Sequence, residues 1–402
     1  MARIIGIQHR VKKTSTGESR PTMVAISDGE HVRELELEDE QAELDFVFGK
    51  FPVGWREPIE GEDLSTLLPH HTKKRKKGME EVVQIPAQYE GLCANDSVVM
   101  ILGGSGDRLA FALSRQGEKV GAKIFRIPGF KLASHRREAD KKKDHVELAR
   151  IFVEKPELYY EVSPADRDKI RVAELHRARR DTQVDRIACE QRLRQRLIGT
   201  IFLSEEGGYP EGTVADEFDK LKANDTILAT LTKEERQRET ELRTAIQKVP
   251  IWQEFFAPMK GCGEVIAAGL ISTIGDIRMF DSAAKLKAFC GVHVLTDGRF
   301  PRKRTGSSAN WNPRARQALY LLGQQFVYRA DSEWGKKLRE YKVKFRTKYP
   351  EPVIGENGKK RYTDMHIHKM AIWRTLTKFV ERLHKEWKRL DTGDAQKKTE
   401  AA

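Results

Sequence analysis

Apolar residues come in short runs over the first third of the chain and recur at spacings of three and four from residue 163 onward. The runs Arg3–Ile7, Thr22–Ile26 and Val32–Leu37 predict strands, with Ser27-Asp28-Gly29 turning the second into the third. Val11–Pro21 is a polar stretch between the first two. Ser97–Leu102 predicts another strand, followed by Gly103-Gly104-Ser105-Gly106, an amphipathic helix over Asp107–Gln116 and a strand over Val120–Ile127. A strand–glycine loop–helix–strand unit predicts a parallel α/β layer. The loop lacks both Gly-x-Gly-x-x-Gly and Gly-Lys-Ser/Thr, so the sequence argues against a nucleotide cradle. Residues 54–78 read as a loop ending in Lys73-Lys74-Arg75-Lys76-Lys77, either a solvated run or a nucleic-acid contact.

From Ser163 the pattern predicts one helix reaching Phe202. Ser163 suits its cap, Pro164 its first turn and Asp166 a capping box. At 1.5 Å per residue such a rod is roughly 60 Å long and needs a partner. A second capping box, Thr232-Lys233-Glu234-Glu235, predicts that partner, running to Lys248. The expectation is an antiparallel helical hairpin over 163–250, a coiled coil able to dimerise. Val184, Ile187, Leu197, Ile198 and Ile201 form its seam, and Gly207-Gly208-Tyr209-Pro210 its turn or an inserted loop. The predicted division is an α/β domain over 1–160, the hairpin over 161–252, a basic helical domain over 253–390 and a disordered tail over 391–402.

Charge changes this picture. The 402 residues carry a formal net charge of +13, with 39% hydrophobic and 33% charged positions. Asp28–Asp63 holds 13 acidic and 3 basic residues, whereas Ala283–Arg389 holds 26 basic and 9 acidic. A positive field of that size attracts a polyanion, DNA or RNA backbone first. Trp311, Tyr320, Tyr328, Trp334, Tyr341, Tyr349, Tyr362 and Trp373 are interspersed among the cations. No run of eighteen apolar residues and no signal peptide is present, so no membrane partner is expected. Cys93, Cys189, Cys262 and Cys290 lie far apart, which points to a reducing cytoplasm rather than disulfides or a zinc ribbon; a DNA-binding chain there is expected to associate with the nucleoid.

The segment Ala257–Asp276 has a helix-hairpin-helix pattern. Lys260, Gly261 and Gly263 make a tight turn whose amides, at a helix start, suit a DNA phosphate without reading sequence. Ala267, Ala268, Leu270, Ile271 and Ile274 then bury that helix. The plainer reading is a glycine turn before a buried helix.

Lys260–Tyr320 closely resembles the C-terminal domain of the DEDD-type insertion-sequence transposases, a family that includes the Piv and MooV invertases and the bridge-RNA-guided recombinases. The matching pieces are Gly261-Cys-Gly263, Ile274-Gly-Asp-Ile-Arg-Met-Phe280, Leu286-Lys-Ala-Phe-Cys-Gly-Val292, the basic loop Arg299–Arg304 and Asn312-Pro-Arg-Ala-Arg-Gln-Ala-Leu-Tyr320. The resemblance implies a RuvC-like (RNase H-type) N-terminal domain with an acidic Mg²⁺ site, a coiled coil and a helical C-terminal domain carrying a serine nucleophile. It also implies DNA strand exchange by a transposase or recombinase, a structured guide RNA and a dimer or tetramer. Asp144 and Glu147 match two acidic positions, and Asp140 lies one turn earlier as a possible third ligand. Gln8 stands where the first acid belongs, and no carboxylate stands at Ile101 or Leu102, where the second belongs. Thr296 is the hydroxyl where the serine belongs, with Ser307 and Ser308 nearby. Lys260, Gly261, Gly263, Arg299, Arg302, Lys303, Arg304, Arg314 and Arg316 are the expected DNA contacts. A non-catalytic DNA- or RNA-binding relative and a branched-DNA repair protein are the alternatives.

Overall fold

A computed structural model describes residues 3–10, 20–65, 67–77, 80–137, 141–205, 207, 212–303, 306, 308–354, 358 and 360–391. The chain divides into two compact units, Met1–Arg167 and Asp168–Ala402. The expected tail over 391–402 lies, beyond Asp391, outside the described residues.

The first unit is built on strands β1 (Ile4–Gln8), β2 (Thr22–Ser27) and β3 (Val32–Leu37), then helix α1 (Glu40–Val47). An antiparallel insertion follows, β4 (Phe51–Arg56), β5 (Lys73–Lys77) and β6 (Glu80–Glu90), in the order β4-β6-β5. The chain returns through β7 (Ser97–Leu102), α2 (Asp107–Val120), β8 (Lys123–Pro128), α3 (Gly129–His135), α4 (Asp144–Glu154) and β9 (Tyr160–Glu161). The main sheet runs β3-β2-β1-β7-β8-β9. β7 lies parallel to β1 and β8, whereas β2, β3 and β9 pair antiparallel. Side chains alternate across it, as the two-residue period demands. Ile5, Ile7, Val98, Met100 and Ile124 share one core with α1 and α2. Val99 and Ile127 share another with Leu132 of α3 and Leu148 of α4.

Gly6 shows how tightly α4 sits on β1. A Cβ there would lie 1.9 Å from the carbonyl oxygen of His145. The basic run 73–77, expected in a loop, is β5: its register Lys73↔Gln84 to Lys77↔Glu80 sets it opposite an acidic strand start, and Lys73 lies 4.1 Å over the Trp55 ring.

The second unit is helical. The unit boundary falls in the first turn of α5 (Pro164–Phe202), where Ser163 and Asp166 cap each other reciprocally. Next come α6 (Val214–Asn224), α7 (Thr226–Ile246), a π-helical turn at Trp252–Phe256, α8 (Glu264–Ile274), α9 (Ala283–Phe289), α10 (Pro313–Tyr328) and α11 (Glu333–Lys348). A two-residue ribbon, β10 (Val353–Ile354) with β11 (Lys360–Arg361), leads to α12 (Asp364–Asp391).

Three features differ from expectation. The helix placed after Thr232 starts at Asp225, whose carboxylate caps the Leu228 amide. Between the segment 207–210, read as a turn or inserted loop, and α7 lies a further helix, α6, opened by a Thr213–Asp216 capping box. The seam is not the apolar stripe expected: Val184 and Ile187 are exposed, and Arg179 and Arg186 instead bind Glu235 at 2.9 and 2.6 Å. The base of the hairpin is not separate from the helices that follow. Val172, Leu242 and Ile246 share one core with Leu270, Leu319, Phe379 and Trp387. Each such side chain contributes about 1.5–3 kcal/mol on burial. No helix among the described residues is long and apolar enough to cross a membrane.

Gly6→Ala is expected to cost about 2–3 kcal/mol, because helix and strand must separate to admit the methyl group. Urea unfolding followed by circular dichroism checks this; a change within about 0.5 kcal/mol would show that the contact yields freely.

Candidate nucleic-acid interface and acidic centre

In the first unit, Gln8 at the end of β1 donates its amide to the Lys141 carbonyl at 2.8 Å, while its own side-chain oxygen is buried without a partner. Asp144 and Glu147 share the first turn of α4. Asp144 is buried and gripped by both nitrogens of an Arg136 fork at 2.7 and 2.8 Å. Glu147 accepts from Arg150 at 2.7 Å and from the Arg137 amide at 3.0 Å. The Arg150 hydrogen bond holds its carboxyl below the usual range, against a smaller opposing effect of burial. Asp140 lies outside the described residues. Beyond Leu102, the nearest carboxylate in sequence is Asp107, ion-paired with the buried Arg126.

A Mg²⁺ ion needs several anionic or neutral oxygens free of competing cations. Among the described residues of this centre one amide oxygen qualifies, and both carboxylates are already neutralised by guanidinium groups. As arranged, these residues do not fit the ion, and no reaction step follows through it.

In the second unit, the glycine elbow is a β-turn in which the Cys262 amide bonds the Met259 carbonyl at 3.2 Å. Gly261 has φ +96°, and a Cβ there would meet the Arg329 side chain at 2.9 Å. The elbow therefore packs against the C-terminal end of α10. Glu264 occupies the first turn of α8, the place a phosphate would take, and already complements the positive end of that helix. Gly263 and Lys260 are exposed.

The basic loop lies at the other end of α10. Arg302, Lys303 and Arg314 are exposed, and among the described residues no carboxylate pairs with them or with Lys260. Arg299 has Asp297 at 3.5 Å. Arg304 lies outside the described residues, as does Ser307. Arg316 departs from its expected role. Its guanidinium is sandwiched 4.6 Å from the rings of both Trp311 and Trp373 and donates to the Pro301 carbonyl at 2.7 Å. Burial lowers its pKa. Such a group anchors the loop from inside and does not reach a phosphate. Arg316 meets the loop and Gln325 and Arg329 meet the elbow, so nine to thirteen residues of α10 separate the two places, roughly 14–20 Å.

Thr296 lies in an exposed turn closed by Leu295 amide to Arg299 carbonyl at 2.8 Å. Its hydroxyl has no hydrogen-bond partner among the described residues, so no base stands ready to activate it. Ser308 is likewise exposed. Buried Cys262 and Cys290 have thiols pushed up to about 12 by desolvation, which removes them as nucleophiles.

Two features escaped the sequence reading. Lys336, Arg339 and Lys344 share an exposed side of α11 with Glu340 and Val343; the three-and-four spacing of positions 336, 339 or 340 and 343 or 344 was the available signal. Tyr349 and Tyr362 stack at 3.8 Å, nearly parallel, and His366 continues the stack at 5.5 Å. Desolvation lowers the His366 pKa, and Arg302, Arg361 and Lys369 lower it further. These cations thus gather around a partly exposed aromatic column. His366 Nδ1 accepts from the Tyr362 amide at 3.0 Å, which fixes the ring in the stack.

Residues 253–339 match the transposase IS116/IS110/IS902 family. The matched span runs from the π-helical turn through the elbow, the basic loop and α10 into α11. Comparison with curated proteins found no match.

Arg316→Ala is expected to lower stability by about 2 kcal/mol and shift tryptophan emission, because two aromatic faces and a buried carbonyl lose their cation. An unchanged melting curve would place Arg316 on the surface instead. His176, partly buried beside Ser272 and flanked by Arg179, Arg180 and Arg314, has its pKa lowered from 6.5 to about 4, chiefly by desolvation. The unfolded chain takes up the proton first, so stability present above pH 6.5 falls by roughly 3 kcal/mol as the pH drops to about 4. His176→Gln is expected to flatten urea-unfolding stability across that window.

Proposed function

We propose that the protein is a transposase of an insertion sequence, of the RuvC-like DEDD kind, that binds DNA through its second unit. One observation carries this reading: the family match falls on the span that holds the cationic surfaces at both ends of α10. Lys260 and the elbow stand at one end and Arg302, Lys303 and Arg314 at the other. The separation suits phosphates on a duplex lying along this helix, and such contacts fix register without reading bases. The order β3-β2-β1-β7-β8, with β7 and β8 parallel to β1, supports an RNase H-type first unit. The glycine turn before α8 supports the helix-hairpin-helix assignment in outline, although Glu264 weakens its phosphate role. A structured guide RNA is a further partner for the same cations. Exposed Val184 and Ile187, three apart on α5, offer a contact for a second copy.

A second reading is favoured by the guanidinium partners of Asp144 and Glu147: a relative that retains nucleic-acid binding and lacks metal-dependent strand chemistry. The two readings part in a cleavage assay. Supercoiled DNA from the element's own borders, incubated with Mg²⁺, is nicked or joined under the first and untouched under the second. Under the first, Thr296→Ala removes joined product.

Binding itself is tested with Arg302→Glu/Lys303→Glu. The double variant should weaken duplex binding at least about tenfold and flatten the slope of log K against log salt by about 2, since two phosphate contacts are lost. Equal affinity and slope in both proteins would remove the loop from the interface.

A further inference from the structure

The insertion of the first unit brings two imidazoles onto one carboxylate. Asp45 lies in the last turn of α1, and His70 and His71 in the turn Pro69–His71 that precedes β5. Asp45 Oδ2 is 3.1 Å from His70 Nε2 and 3.1 Å from His71 Nε2. The three ligand atoms lie within 4.8 Å of one another. Zinc bonds of about 2.0–2.1 Å in a tetrahedron require ligand–ligand edges of about 3.3 Å. The rings meet edge to face with centroids 4.3 Å apart, which lets both Nε2 atoms point inward.

Each buried ligand also has an outer partner. His71 Nδ1 meets the Tyr89 hydroxyl at 3.2 Å, and Asp45 Oδ1 accepts from the Gln41 amide at 2.9 Å. Hydrogen bonds of this kind fix the ring and carboxylate orientations in metal centres. The electrostatics point the same way. Asp45 is buried, and among the described residues no lysine or arginine pairs with it. Neither imidazole brings an obligatory charge. Buried acids elsewhere in this unit meet a different arrangement: Asp96 has Arg3 and Asp144 has Arg136.

We propose that Asp45, His70 and His71 form a zinc site that ties the segment between β4 and β5 to α1. Two borderline imidazole nitrogens with one carboxylate oxygen are a donor set that Zn²⁺ takes. His70, the one exposed ligand, puts the fourth position at the solvent side, where water completes the tetrahedron. The site lies outside the family-matched span and stands independently of the proposed function.

The full chain, stripped with a chelator, is titrated with Zn²⁺ by calorimetry and with Co²⁺ by visible absorption. The expected result is one equivalent of Zn²⁺ and a four-coordinate Co²⁺ spectrum displaced by Zn²⁺. His70→Ala, at an exposed position that leaves the fold intact by circular dichroism, should weaken Zn²⁺ at least about 100-fold, and Tyr89→Phe about 10–100-fold. Absence of a stoichiometric site would overturn the proposal. So would His70→Ala binding as wild type, which would assign any bound zinc to other groups, or a preference for Fe²⁺ over Zn²⁺.

Discussion

Pairing of buried charge organises this molecule. A carboxylate removed from water needs a cation or must give up its charge, and a buried guanidinium needs acceptors or aromatic faces. On α4 the demand is met by forks: Arg136 closes on Asp144 and Arg150 on Glu147. In the second unit Arg316 is met by two indole faces and a carbonyl. The first arrangement uses up the negative charge that metal chemistry requires. The second spends one cation to hold a loop in place and leaves its neighbours at the surface.

Helix α10 is the frame on which the cationic surfaces are hung. Its N-terminus is capped by Asn312, whose side chain accepts from the Arg314 and Ala315 amides. Its buried side, Ala315, Leu319, Leu322 and Phe326, joins the core with α8 and α12. Gly323 has room for no more than hydrogen, because Ile372 would meet a Cβ at 2.8 Å. Packing this close fixes the helix, and with it the distance between elbow and loop. A rigid spacer suits contacts to a regular phosphate lattice, since little ordering entropy remains for binding. The aromatic column of Tyr349, Tyr362 and His366 adds π-faces beside the same cations, surfaces on which bases stack without sequence preference.

Much of the architecture was readable from local pattern. Strand positions followed from apolar runs bounded by turn residues, and the long α5 from Ser163, Pro164 and Asp166. Where local reading failed, a nearby residue had stronger chemistry: Asp225 caps α7 ahead of Thr232, and Thr213 with Asp216 starts α6 between the 207–210 segment and α7. The basic run 73–77 looked like a solvated loop because its strand partner, β6, supplies the regularity from outside it.

The sequence by itself determined the segregation of charge, the α/β-then-helical order and the likeness of residues 253–339 to a transposase family. These depend on composition, on contacts within about four residues and on motif spacing. Only the tertiary structure decided which charges remain available. Asp144 meets Arg136, Arg316 meets Trp311 and Trp373, and Gly261 meets Arg329 across 68 positions of chain. Asp45 likewise meets His70 and His71 through packing of α1 on the insertion. Such partners are chosen by how elements pack, and no period or cap in a linear sequence specifies them.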